Sequence, residues 1–76
     1  MPTDQTKLIE IVLNGEARQV PDGNTVQGLL EFLSIPTERV AVELNLEIVR
    51  KPAWSSTLVE AGAKVEIVHF VGGGRA

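Results

Sequence analysis

The chain contains no cysteine and no tyrosine, and only one histidine, one tryptophan and one methionine. Without cysteine there is no disulfide framework, no thiolate–zinc site and no cysteine nucleophile. A lone His69 excludes a multi-histidine metal site within one chain, and any Ser-His-Asp triad would rest on that residue alone. Long apolar runs are missing as well; none approaches the ~20 residues needed to span a bilayer. What remains is 76 residues with 43% hydrophobic and 22% charged side chains. That is one domain, of a size that buries only ~60–65% of its unfolded surface, so its core must be small.

Ten acidic and seven basic side chains give a net charge of −3. The basic residues are scattered, with only Arg50 and Lys51 adjacent. No basic stripe interleaved with aromatics exists, which argues against nucleic-acid binding. The opening segment Met1-Pro2-Thr3-Asp4-Gln5-Thr6 is polar and has no apolar signal core. A soluble cytoplasmic protein without membrane attachment is expected.

Hydrophobic periodicity organises the rest. Ile9, Ile11 and Leu13 alternate, as in a half-buried strand. Asn14-Gly15 follows, a type I′ hairpin signal because both positions tolerate positive φ. Glu16–Val20 is the weaker returning strand, closed by Pro21-Asp22-Gly23. Asn24 or Thr25 then caps a helix, with Gln27 completing an approximate capping box to Asn24. Val26, Leu29, Leu30 and Leu33 form one apolar helical face, and Pro36 closes the segment. Gly28 inside it suggests a close approach of helix to sheet. Val40, Val42 and Leu44 make a third strand, reversed at Asn45-Leu46 into Glu47–Val49. Arg50–Thr57 reads as an irregular connection with Trp54 as a hydrophobic lid. After a turn at Gly62, Val65–Val71 is the last strand, with so few polar residues that burial on both faces is expected. The expected core is Ile11, Leu13, Leu29, Leu30, Leu33, Val42, Leu58 and Ile67. One helix across one face of a mixed sheet of four to five strands accommodates this order, an α+β arrangement.

The tail is the informative feature. Three of the seven glycines stand together as Gly72-Gly73-Gly74, directly after the most apolar strand. A glycine run makes a thin thread that can enter a narrow cleft and present a carboxylate. Fixing each glycine costs roughly 1–2 kcal/mol of backbone entropy, so residues 72–76 are expected to be mobile in the free chain. The division expected is a folded domain over 1–71 and a tail over 72–76.

The blocks Leu13-Asn14-Gly15, Thr25-Val26-Gln27-Gly28-Leu29-Leu30, Val40-Ala41-Val42-Glu43-Leu44-Asn45 and above all Val65–Gly74 carry a resemblance. The chain resembles the ThiS family, the sulfur carriers of thiamine biosynthesis, over nearly its whole length. The resemblance implies a β-grasp, ubiquitin-like fold and a role as carrier, not enzyme. It implies that the Gly74 carboxylate is adenylated by a ubiquitin-activating-type enzyme, which uses the ATP, and becomes a thiocarboxylate that donates sulfur to thiazole synthase. No cofactor is held by the carrier itself. Arg75-Ala76 depart from the family pattern, which ends at the glycines; a peptidase that removes them would expose Gly74, and a cloning scar or a degenerate family member are the alternatives. Other readings are a molybdopterin-synthase small-subunit-like carrier, or a ubiquitin-like interaction module with an inert tail.

Individual residues have plainer readings. His69 reads as a core or sheet-face histidine, and Trp54 as packing rather than a ligand platform. Arg50-Lys51 read as a solvated turn. Glu43 and Glu47 read as a solvated edge, with an acidic partner-facing patch as the alternative. Phe70 and Val71, at the root of the tail, are either docking residues for the activating enzyme or buried.

Overall fold

The computed structural model describes residues 7–70. Five strands form one sheet: β1 (Leu8–Leu13), β2 (Glu16–Pro21), β3 (Val40–Leu44), β4 (Glu47–Val49) and β5 (Lys64–His69). The order across the sheet is β2-β1-β5-β3-β4. β1 and β5 run parallel, and the other neighbours are antiparallel. Helix α1 (Val26–Phe32) and a 3₁₀ helix (Lys51–Ser56) complete the described elements. This is the expected α+β arrangement. The expected boundary between residues 71 and 72 lies outside the described residues.

The hairpins follow from local chemistry. Asn14 and Gly15 have φ of 49° and 85°, both left-handed, as a type I′ turn demands. The second reversal repeats this with Asn45 at 52° and Leu46 at 72°. Leucine lacks asparagine's tolerance of that region, and Leu46 is also 73% exposed.

Helix α1 begins at Thr25, whose Oγ1 accepts a hydrogen bond from the Gly28 N–H at 3.1 Å. Thr25 is therefore the cap, not Asn24, and Gln27 instead donates to Glu31 one turn on, at 3.0 Å. Gly28 does not mark a helix–sheet approach. A Cβ there would lie 2.8 Å from Oδ1 of Asn24, so the glycine makes room for the Asn24 side chain over the first turn. The helix ends in a Schellman arrangement. Ser34 takes φ 58°, its N–H donates to Glu31 O, and the Ile35 N–H donates to Leu30 O.

The core lies between α1, the 3₁₀ helix and one face of the sheet. Ile11, Leu13, Leu29, Leu30, Val42 and Ile67 are buried as expected. Leu33 is only half-buried against the cluster. Leu58 is corrected outright: it is 55% exposed, and its neighbour Val59 is buried in its place. The reason is a bridge between Leu58 and Thr25, with Val26 N–H donating to Thr57 O and Val59 N–H to Asn24 O. That pairing fixes which side chain of the extended segment turns inward. The 3₁₀ helix replaces the expected irregular connection. It seats Trp54, 2% exposed, with its Nε1–H donating to Val49 O at 2.8 Å. Lys51 lies 5.8 Å from the centre of that ring, so it covers tryptophan while its own charge stays exposed.

β5 is central, as expected, but buried on one face only. Val65 and Ile67 point into the core; Val68 is 57% exposed. Among the described residues no element covers the other face, because α1 and the 3₁₀ helix both pack on the core side.

Two substitutions test the turns. Asn14→Ala removes a left-handed-tolerant residue and its side-chain bonds to β5, and should lower stability by about 1–3 kcal/mol in denaturant unfolding. Leu46→Gly should raise it by about 0.5–1 kcal/mol, because relief of the left-handed strain exceeds glycine's entropic cost.

Candidate functional site

The candidate site is the exit of β5 toward the glycines. Gly72, Gly73, Gly74 and Val71 lie outside the described residues, as do Arg75 and Ala76. The structure defines the platform from which they leave.

That platform is fastened at its beginning by two turn asparagines. On the β1 side the chain contributes a regular series: Gly62 N–H donates to Glu10 O, Val12 N–H to Ala63 O, and Asn14 N–H to Val65 O. β1 then turns away, but the Asn14 side chain continues the ladder. Its Oδ1 accepts from Ile67 N–H at 2.8 Å and its Nδ2 donates to Ile67 O at 3.4 Å. On the β3 side Asn45 exchanges bonds with Lys64: Asn45 N–H donates to Lys64 O at 2.7 Å, and Lys64 N–H donates to Asn45 Oδ1 at 2.9 Å. Both asparagines were legible as turn formers. Their second role was not, since it joins residues far apart in sequence.

The far end of β5 is held from one side. Val68 and His69 pair with Ala41 and Val40, and the Phe70 N–H donates to Arg39 O at 2.8 Å. Alternation along the ladder then turns the N–H and C=O of His69 to the opposite side, past the end of β1. Phe70 is 56% exposed, which resolves its two readings in favour of a surface residue. His69 is exposed too: of the two readings, core or sheet-face, the structure gives the second, because the residue sits at the strand's end, beyond the cover of the core. Among the described residues no group of three or more His, Asp or Glu side chains could hold a metal ion. No helix there is long and apolar enough to cross a membrane.

A five-stranded mixed sheet with a helix across one face is the β-grasp architecture of ubiquitin-like proteins. The comparisons specify which branch. The model of the ThiS family matches residues 7–74. The sulfur carrier protein ThiS of Escherichia coli is 30% identical over 66 residues, 87% of this chain and 100% of that protein. The crystal structure of a thiamine biosynthesis protein (ThiS) from Geobacter metallireducens matches with a TM-score of 0.76 and 37% identity, covering 87% of this chain and 100% of that one. A protein named thiazole synthase, from Paramagnetospirillum magneticum, is 46% identical over 66 residues, 87% of this chain. The chain spans about a fifth of the length of the curated relatives of that name. The chain belongs to the ThiS family.

Amide hydrogen exchange tests the platform. Ile67 N–H, held by Asn14 Oδ1, should exchange at least about tenfold more slowly than His69 N–H, and Asn14→Ala should remove most of that difference.

Proposed function

We propose that this chain is a sulfur carrier of thiamine biosynthesis whose reacting group is the Gly74 carboxylate. The observation that carries this reading is the extent of the family match, which runs through β5 and stops at Gly74, before Arg75. The chain acts as a carrier and not as an enzyme; the reaction uses its main chain, and no nucleophile–base pair of its own side chains.

A carboxylate is a poor electrophile because its oxygen is a poor leaving group. An adenylating partner of the ubiquitin-activating type solves this with ATP. A Gly74 carboxylate oxygen attacks the α-phosphorus, pyrophosphate leaves, and the acyl-adenylate forms. A sulfur nucleophile then attacks the carbonyl carbon, and AMP departs with the oxygen. With a persulfide as that nucleophile an acyl disulfide forms; a thiolate then attacks the donor's own sulfur, makes a disulfide with the donor and displaces the thiocarboxylate on Gly74. ATP is thus a substrate of the partner, and the carrier binds no cofactor. Thiazole synthase receives the sulfur; the similarity of this chain to part of a protein of that name supports the pairing. The chemistry takes place in the cytoplasm.

Gly74 carries a free carboxylate only once the peptide bond to Arg75 is cut. A peptidase that cuts between Gly74 and Arg75, taking Arg75 and Ala76 with the released segment, therefore precedes activation. The glycines suit both steps, since a thread without side chains fits a narrow cleft.

The experiment compares the chain ending at Gly74 with the chain continuing through Ala76, each incubated with the adenylating enzyme, ATP and a sulfur donor. Intact mass should show oxygen-for-sulfur exchange in the trimmed chain alone. No exchange in the trimmed chain, or equal exchange in both, would overturn the assignment of Gly74.

A further inference from the structure

The sheet face turned away from the helix carries a second feature. Ala41, Val42 and Glu43 of β3, Ile48 of β4, and Glu66 and Val68 of β5 line a shallow groove of about 250 Å³. Ile48 is 70% exposed and Val68 57%. Single exposed apolar side chains are ordinary, but these two flank one groove. Phe70, which continues the same alternation one residue past the end of β5, is 56% exposed and extends the apolar surface.

Register places Glu43 opposite Glu66. The bonds Asn45 N–H to Lys64 O and Phe70 N–H to Arg39 O fix the parity of this ladder. Glu43 and Glu66 are thereby a hydrogen-bonded pair, with Cα atoms about 5.5 Å apart. Like charges directly opposite on a sheet work against folding. On its other side Glu43 faces Ile48, and Ala41 faces Val68. Two carboxylates therefore stand side by side, Glu43 half-buried and Glu66 exposed, with Ile48 and Val68 next to them. Lys64, two residues back along β5, stands on the same face at one end of the pair, and Glu10 stands on it from β1.

We propose that this groove docks the adenylating partner by taking one arginine side chain between Glu43 and Glu66, with apolar side chains of the partner against Ile48 and Val68. This rests on the carrier reading. A planar guanidinium with its fork of donors can bond both carboxylates at once, which a single ammonium does less well. Apolar contacts surrounding an arginine are the usual make-up of a protein interface core. A second copy of this chain fits poorly, since two-fold pairing of the face would bring four carboxylates together. Position supports the same occupant. Gly74 is the sixth residue after Val68, at most about 20 Å of chain, so a partner seated here has the reacting carboxylate within reach.

The test measures binding of the chain trimmed at Gly74 to the adenylating enzyme of the same organism, at low and at physiological salt. Glu43→Gln/Glu66→Gln should stay folded, with a thermal midpoint unchanged or raised by about 1–5 °C. It should weaken binding by about tenfold to a hundredfold and flatten the salt dependence. Glu10→Gln, on the same face outside the groove, should bind like the wild type. Wild-type affinity and salt dependence in the double variant would overturn the docking, as would a dimer of this chain that the double substitution dissolves. If the wild type still forms the thiocarboxylate in that case, the carrier reading stands and only the docking fails. A wild type that neither binds nor is converted removes both.

Discussion

The structure depends on holding β5 in the middle of the sheet. Both of its partners are distant in sequence: β1 lies more than fifty residues earlier and β3 about twenty-five, at the centre of its ladder. Parallel and antiparallel ladders meet on this one strand, and each is completed by an asparagine from a hairpin turn. Asn14 and Asn45 adopt left-handed backbone that their short amide side chains tolerate, and that same geometry aims the amides at the main chain of β5. One residue type thus serves as turn former and as strand clamp. The consequence is directional. The first half of β5 is fastened on both sides, and the second half, from which the glycines depart, is fastened on one.

A small sheet with one helical layer has two unequal faces. The inner face takes nearly all of the apolar residues that a chain of this size can bury, together with Trp54 beneath Lys51. The outer face keeps Ile48, Val68 and Phe70 in solvent and sets two glutamates opposite each other. Neither choice helps the isolated fold. Both become intelligible on the proposed reading, in which the chain meets partner proteins and offers its own main chain for chemistry. The absence of cysteine and the lone histidine fit the same proposal, in which the reacting carbon is that of the Gly74 carboxyl group.

Much of this was legible in the residues. Asn14-Gly15 and Asn45-Leu46 marked both hairpins, because left-handed turns admit few residue types. The spacing of Val26, Leu29, Leu30 and Leu33 marked the helix and its buried face, although the last of them is only half covered. The resemblance carried by the last block was upheld by the family match over residues 7–74. These are local signals, set by steric limits on φ, by the 3.6-residue turn and by the alternation of a strand.

The tertiary structure decided what local pattern leaves open. Leu58 and Val59 are equally apolar neighbours; the bridge to Thr25 alone turned Val59 inward. The run from Val65 to Val71 reads as buried on both faces, yet with one layer of cover Val68 and Phe70 remain outside. Glu43 looked like a companion of Glu47 across a turn, but strand parity puts them on opposite faces and gives Glu43 to Glu66. Gly28 serves its own helix cap and not the sheet. Each case turns on which segment lies beside which, and that is settled by contacts between residues distant in sequence. The sequence by itself determined the elements and the family resemblance; only the packed sheet decided which side chains face the core and which face solvent, because facing is a property of register and register belongs to pairs of strands.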